Sequence, residues 1–219
     1  MTSSNKHRLV VLISGSGTNL QAIIDAVNAG AVNAKISAVI SNEESAKGLQ
    51  RAAQSKIATA VVDHKQFDSK EAFDRALIEL IDRYEADTVL LAGFMRILTP
   101  TFVSHYAGKV LNIHPSLLPK FQGLHTHQRA LEAGEKQHGC SIHFVTDEVD
   151  GGPVIAQATV SVEATNDADS LAKKVLRKEH ILYPLVVSWK ADGRLKLSNG
   201  GVWLDGKKLG PEGYQLEER

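Results

Sequence analysis

Leu9-Val10-Val11-Leu12-Ile13-Ser14-Gly15-Ser16-Gly17-Thr18-Asn19-Leu20 is the stretch that decides the fold. Its first five residues are apolar without a break, and three of them are β-branched. Such a run matches a strand buried on both faces, the usual state of a strand in a parallel sheet. The run stops at a Ser/Gly turn. Over 20–28 the spacing becomes helical, with Leu20, Ile23, Ile24 and Val27 on one face and Gly30 as the stop. Strand, glycine turn and helix in this order open a βαβ unit.

The alternation continues outward from that stretch. Apolar runs at 36–40, 60–62, 88–92 and 110–114 predict strands, and 48–55 predicts a helix. Over 68–84 an amphipathic helix is expected, with Asp68 and Glu71 as a capping box and Phe73, Leu77, Leu80 and Ile81 as its stripe. Thr99-Pro100 opens another, with proline at its favoured first position. After about residue 115 the style changes. A loop with Pro115, Pro119 and Gly123 leads to a helix at 127–133. Alternating segments at 141–146 and 154–162 look like paired strands, a long apolar-striped helix covers 171–189, and Ser198-Asn199-Gly200-Gly201 reads as a hairpin turn. No repeat, low-complexity run or linker interrupts the chain. The expected fold class is α/β: a mostly parallel twisted sheet with helices on both faces, a Rossmann-like N-terminal half, and both halves sharing one sheet in a single domain over 1–219.

Composition narrows the function classes. The chain has 219 residues, and its 43% hydrophobic content is enough for a sizeable core. Lys plus Arg and Asp plus Glu are equal at 25 each, with no basic stripe, so a nucleic-acid partner is not expected. Cys140 is the one cysteine; it cannot form a disulfide within the chain, fits a reducing, cytoplasmic compartment, and reads as a small core residue at a strand start. Residues 1–8 are polar, and the apolar run at 9–13 is too short for a signal peptide or a membrane span. A short lead-in to the first strand is expected there.

Four segments can carry chemistry. In Ser14–Leu20 the turn amides and helix dipole suit an anion, and glycines let the backbone approach it. A third glycine of the dinucleotide fingerprint is replaced by Leu20, and the P-loop Gly-Lys-Ser/Thr is absent, so a monophosphate is the guest that fits. The alternative is a tight turn in which Ser16 and Thr18 only cap the helix. In Asn112-Ile113-His114-Pro115, Asn112 and His114 lie two apart and project to one face at the carboxyl end of a strand, where α/β sheets place their sites. A core histidine is the other reading. Asp147-Glu148-Val149-Asp150-Gly151-Gly152-Pro153 is either a solvated loop or the source of a carboxylate that orients His114 and favours its protonated form. His125-Thr126-His127 suggests a metal site only weakly, without a Cys pair or HExxH, and helix capping is the reading we favour.

Taken together, 13–21, 91–98, Asn112-Ile113-His114-Pro115-Ser116-Leu117-Leu118-Pro119, Gly123-Leu124-His125-Thr126-His127 and 147–153 resemble the phosphoribosylglycinamide formyltransferase family, the folate-dependent formyl-transfer enzymes of purine synthesis. The resemblance runs from about Arg8 through Trp203-Leu204-Asp205-Gly206. It implies formyl transfer from 10-formyltetrahydrofolate to the amine of glycinamide ribonucleotide, with no metal. It implies a catalytic trio of Asn112, His114 and Asp150. Gly17, Thr18 and Asn19 would hold the ribonucleotide phosphate, and Leu176, Arg177, Lys178 and Glu179 would complete that site. Lys70, Met95, Arg96, Ile97, Leu98, Asn112, Thr146, Asp147, Glu148, Val149 and Asp150 would line the folate site. Lys70 stands where the family usually has arginine and offers a point charge instead of a bidentate fork. Gln122 stands where proline is frequent.

Other readings carry their own cues. A methionyl-tRNA formyltransferase brings an extra C-terminal domain and basic surface, and a formyltetrahydrofolate hydrolase an N-terminal regulatory domain; neither segment is expected in this chain. A non-catalytic phosphate binder would lack the Asn112, His114 and Asp150 set. A metal hydrolase would lose activity to chelators. The expected form is a monomer or homodimer with small-molecule substrates and no membrane contact.

Overall fold

The computed structural model describes residues 6–217. The lead-in expected at the N-terminus falls largely on residues 1–5, outside the described residues. The chain divides into two compact units, Met1–Leu111 and Asn112–Arg219, with the boundary inside one strand.

In the first unit, β1 (His7–Ile13), β2 (Ala34–Ser41), β3 (Ala58–Val61) and β4 (Thr88–Leu91) lie in the order β4-β1-β2-β3, and every pairing is parallel. Leu9 through Ile13 are fully buried, as a strand covered on both faces requires. Burial of side chains this size contributes about 1.5–3 kcal/mol each. The connecting helices are α1 (Thr18–Asn28), α2 (Lys47–Gln54) and α3 (Lys70–Asp82), and α4 (Pro100–His105) follows β4. Strands β1, β2 and β3 step one way across the sheet, and β4 returns to the other side of β1. The chain order therefore reverses between β1 and β4, where open α/β sheets leave a crevice at their carboxyl ends.

Two details of α3 differ from expectation. Its N-cap is Ser69, whose side chain accepts from the Ala72 amide, and the Asp68/Glu71 capping box does not form. With the cap one residue later, the orphan amide that is met is that of Ala72 and not that of Glu71. The buried face consists of Phe73, Asp74, Leu77 and Ile81, and Leu80 is only half-buried. A carboxylate thus occupies a place in the stripe that apolar periodicity cannot reveal.

In the second unit, β5 (Val110–His114, split by the unit boundary), β6 (Gln137–Phe144), β7 (Val154–Ser161) and β11 (Tyr214–Gln215) lie in the order β11-β7-β6-β5. Strands β6 and β7 are antiparallel, and β11 pairs parallel with β7. β6 starts and ends earlier than the alternation suggested, because seven of its eight residues are buried on both faces and carry no alternation. Thr146 consequently falls in the turn beyond it. The antiparallel β8 (Leu195–Ser198), β9 (Gly201–Leu204) and β10 (Lys207–Lys208) form a small separate sheet, with the expected hairpin turn between the first two. The helices are α5 (Thr126–Glu132) and the 24-residue α6 (Ala168–Ala191). α6 begins ahead of the apolar stripe because Asp167 and Ser170 form a reciprocal capping box. Cys140 is fully buried on β6, as a core residue should be.

Candidate active site

The glycine turn after β1 is held by backbone bonds from several directions. Ser14 donates its amide to Gly93 at 3.1 Å, and its hydroxyl accepts from the Met95 amide at 2.7 Å while donating to Asn42. The Gly48 amide, at the start of α2, donates to Gly15 at 3.0 Å, and Arg51 Nε donates to the Ser16 carbonyl at 2.8 Å. These bonds engage the loop carbonyls from behind. Gly17 has φ +69°, and a Cβ there would lie 2.5 Å from Gly48 Cα, so both the conformation and the space require glycine.

Gly17 is also the N-cap of α1, and no side chain caps that end. The reading in which Ser16 or Thr18 caps the helix is therefore corrected. The dipole at this uncapped helix end favours an anion. A cavity of about 220 Å³ opens beside it, lined by 14–19 together with Ala92, Gly93 and Met95. It lies at the β1/β4 reversal, where the topology calls for it. Met95 and Ile97 stand out from the turn after β4 at 66% and 58% exposure, Leu98 is buried, and Arg96 is half-buried. Lys70 is exposed at the first position of α3.

The second unit gathers side chains instead. His114 Nδ1 lies 3.3 Å from Asp150 Oδ2, and the Asn112 amide donates to Asp150 Oδ1 at 3.3 Å. The three residues singled out from sequence therefore converge. Asp150 has φ +52°, and its carboxylate also accepts from the Gly123 amide at 3.0 Å. Gln122 Nε2 donates to the Asp150 carbonyl at 3.3 Å, a bond that proline at that position could not make. The turn before it is tight: the Gly151 amide donates to Glu148 at 3.1 Å, and a Cβ on Gly152 would meet the Phe144 carbonyl. Asp147, Glu148 and Val149 are exposed along this turn, and Thr146 is half-buried.

His143 is a fourth member that periodicity missed. Its Nδ1 donates to the Phe144 carbonyl at 2.9 Å, which leaves Nε2 to accept from the Asn112 amide at 3.1 Å. The same Nε2 lies 3.6 Å from Asp150 Oδ1. A single buried histidine between Ile142 and Phe144 looks like core, and its contacts are visible only in three dimensions.

His114 Nε2 donates to the Phe121 carbonyl at 2.9 Å, so both ring nitrogens face oxygen acceptors. Those partners favour the imidazolium. Burial opposes them and prevails, so the His114 pKa lies below its ordinary value, with the Phe121 carbonyl and Asp150 pulling upward. Asp150 acts in the expected direction, toward the protonated form, but desolvation is larger. For Asp150 itself burial pushes upward, yet His143, His114 and the Gly123 amide together hold it below the usual carboxylate range. The carboxylate is therefore ionised beside a buried ring that holds its proton weakly.

The loop carrying these partners is fixed by hydroxyls and amides. Ser116 Oγ donates to the Lys120 carbonyl, Ser141 Oγ to the Ser116 carbonyl, and Gln157 Nε2 to the Leu118 carbonyl. Of the segment 125–127, expected to cap a helix, His125 is the N-cap of α5, in a left-handed conformation and without a side-chain bond, and His127 meets His138 Nε2 at 3.1 Å through Nδ1. Among the described residues no three His, Cys, Asp or Glu side chains are grouped to hold a metal ion. On α6, Glu179 is buried and Leu176, Arg177 and Lys178 are at least partly exposed.

A glycine turn at a sheet reversal, and a carboxylate–histidine–asparagine cluster at a strand end, fit an α/β group-transfer enzyme. The chain belongs to the formyl transferase family, whose model matches residues 7–187. It is 58% identical over 210 residues to the phosphoribosylglycinamide formyltransferase of Escherichia coli, covering 96% of this chain and 99% of that one. The enzyme of the same name from Haemophilus influenzae is 47% identical over the same shares. The solved structure of the Coxiella burnetii phosphoribosylglycinamide formyltransferase, in complex with CHES, matches with a TM-score of 0.94 and 50% identity, over 97% of this chain and all of that one. Among the described residues no helix is long and apolar enough to cross a membrane.

Proposed function

We propose that the Asn112, His114 and Asp150 cluster carries out formyl transfer onto a ribonucleotide whose phosphate is held by Gly17, Thr18 and Asn19. The chain transfers the formyl group of 10-formyltetrahydrofolate to the amine of glycinamide ribonucleotide, giving formylglycinamide ribonucleotide and tetrahydrofolate in purine synthesis. The observation that carries the residue assignment is the convergence of His114 and Asn112 on one buried carboxylate.

The amine attacks the formyl carbon, and negative charge develops on the formyl oxygen. Donors already in place stabilise such an oxygen most when water is excluded. The Asn112 amide is engaged by His143 and Asp150, so the oxygen takes the longer of these bonds, that to Asp150. The attacking nitrogen loses a proton as the folate nitrogen gains one. His114 relays it, and Asp150 supports the ring while it is cationic. Glu179 meets the amine side of the ribonucleotide, with Leu176, Arg177 and Lys178 beside it. Met95, Arg96, Ile97 and Leu98 line the folate site with Lys70, and Thr146, Asp147, Glu148, Val149 and Asp150 close it. The cytoplasm is the compartment that fits a purine-synthesis enzyme with one buried thiol.

The test is formyl transfer followed spectroscopically with and without glycinamide ribonucleotide. Turnover that requires the ribonucleotide and yields its formylated product supports the reading. Folate turnover without acceptor points to a hydrolase and contradicts it.

A further inference from the structure

Asp74 lies on the buried stripe of α3 at 1% exposure, between Phe73 and Leu77. A carboxylate in such a place is costly unless bonds replace its water. Burial holds its pKa above the ordinary value, against the Thr99 bonds and the nearby charge of Arg96. Asp74 Oδ2 accepts from the Thr99 amide at 2.6 Å, a short bond of the charge-assisted kind. Thr99 is the N-cap of α4 and makes no side-chain cap of its own. An acceptor on another helix therefore takes a donor at the end of the turn.

That turn is the one that presents Met95 and Ile97. Its entrance is tied to β1 and the glycine loop: Ala92 donates to the Leu12 carbonyl, and Ser14 binds both the Gly93 carbonyl and the Met95 amide. Its exit is tied by Asp74. Between the ties, the Arg96 guanidinium lies 6.0 Å from the centre of the Phe73 ring, the neighbour of Asp74 on α3. Arg96 Nε is buried without a hydrogen-bond partner, so the inner side of the turn keeps polar capacity that packing alone does not explain.

We propose that Asp74 is a positioning residue for the folate co-substrate, setting the 95–98 turn through the Thr99 amide and the Arg96 side chain. This role rests on the reading that Met95 to Leu98 line the folate site. Asp74 touches no reacting atom. It acts on the turn that does the binding, so its loss weakens folate without disturbing the ribonucleotide.

The experiment measures KM for 10-formyltetrahydrofolate and for glycinamide ribonucleotide, and kcat, in Asp74→Asn and Asp74→Ala, with thermal unfolding recorded for each. Asn keeps an acceptor for Thr99 but loses the charge. We expect the folate KM to rise about threefold to tenfold in Asp74→Asn and further in Asp74→Ala, with the ribonucleotide KM within about twofold of the parent. If Asp74→Ala does not fold, Asp74→Asn decides alone. An unchanged folate KM in folded Asp74→Asn, or an equal rise of both KM values, overturns the role. Met95→Ala separates the two failures. If it raises the folate KM while Asp74→Asn does not, the positioning role fails by itself; if Met95→Ala changes nothing, the folate reading of the turn falls, and this role with it.

Discussion

The two units build their sites from different materials. In the first, the glycine turn offers backbone amides, and the surrounding side chains only keep the loop in shape: Ser14, Asn42 and Arg51 bind other protein atoms. In the second, the ligands-to-be are side chains, and the backbone keeps them in shape: the Phe121 and Phe144 carbonyls and the Gly123 amide fix His114, His143 and Asp150. Amides without a cap suit a static anion, because a backbone dipole changes neither charge nor place during reaction. A buried imidazole beside a carboxylate suits a proton in transit, because its two forms lie close in free energy. On the proposed reading, phosphate binding and proton transfer are divided accordingly.

The largest effect that can break this division is at His114. General acid–base catalysis contributes about 10²–10⁴-fold, so His114→Ala loses turnover on that order in steady-state assays. Asp150→Asn comes next. Its carboxylate raises the His114 pKa against burial. Without that charge His114 holds its proton less, and the limb of the pH–rate profile due to His114 moves to lower pH, with a rate loss of about tenfold for each unit of pKa. An unmoved limb would make Asp150 a purely structural residue.

A third effect concerns stability. His138 is pushed down to about 4 by burial, then by His127 and His114. A histidine that is harder to protonate when folded contributes stability fully above its unfolded value of 6.5, and that contribution is lost as pH falls toward 4. Urea unfolding should show a loss of about 2 kcal/mol between pH 6.5 and pH 5, and His138→Gln should flatten it. Equal slopes in the two proteins would remove His138 as the cause. The smallest effect sharpens the first unit. Arg51→Met removes the bond to Ser16 and a positive charge at the loop, and the ribonucleotide KM should rise about fivefold with kcat kept.

Much of this was legible in residues alone, for physical reasons. A strand buried on both faces must be apolar throughout, so 9–13 announced itself. The glycines at 15 and 17 and the Asn112/His114 pair sit at chain positions where composition and geometry coincide. The supporting residues were not legible. Asp74 interrupts an apolar stripe in which a carboxylate ordinarily marks the wet face. His143 lies in a strand whose continuous burial erases alternation. Ser69 displaced Asp68 as the cap by a single residue, a choice that local sequence leaves open. The contact of His127 with His138, eleven residues away, has no signal in the local sequence.

The most direct measurement is equilibrium binding of glycinamide ribonucleotide to His114→Ala protein, set beside its turnover. With the ribonucleotide phosphate held by the glycine turn and proton transfer assigned to His114, the Kd stays within about twofold of the parent while turnover falls by about 10²–10⁴. A Kd that weakens in step with the rate would show that His114 holds the substrate, and would contradict the division.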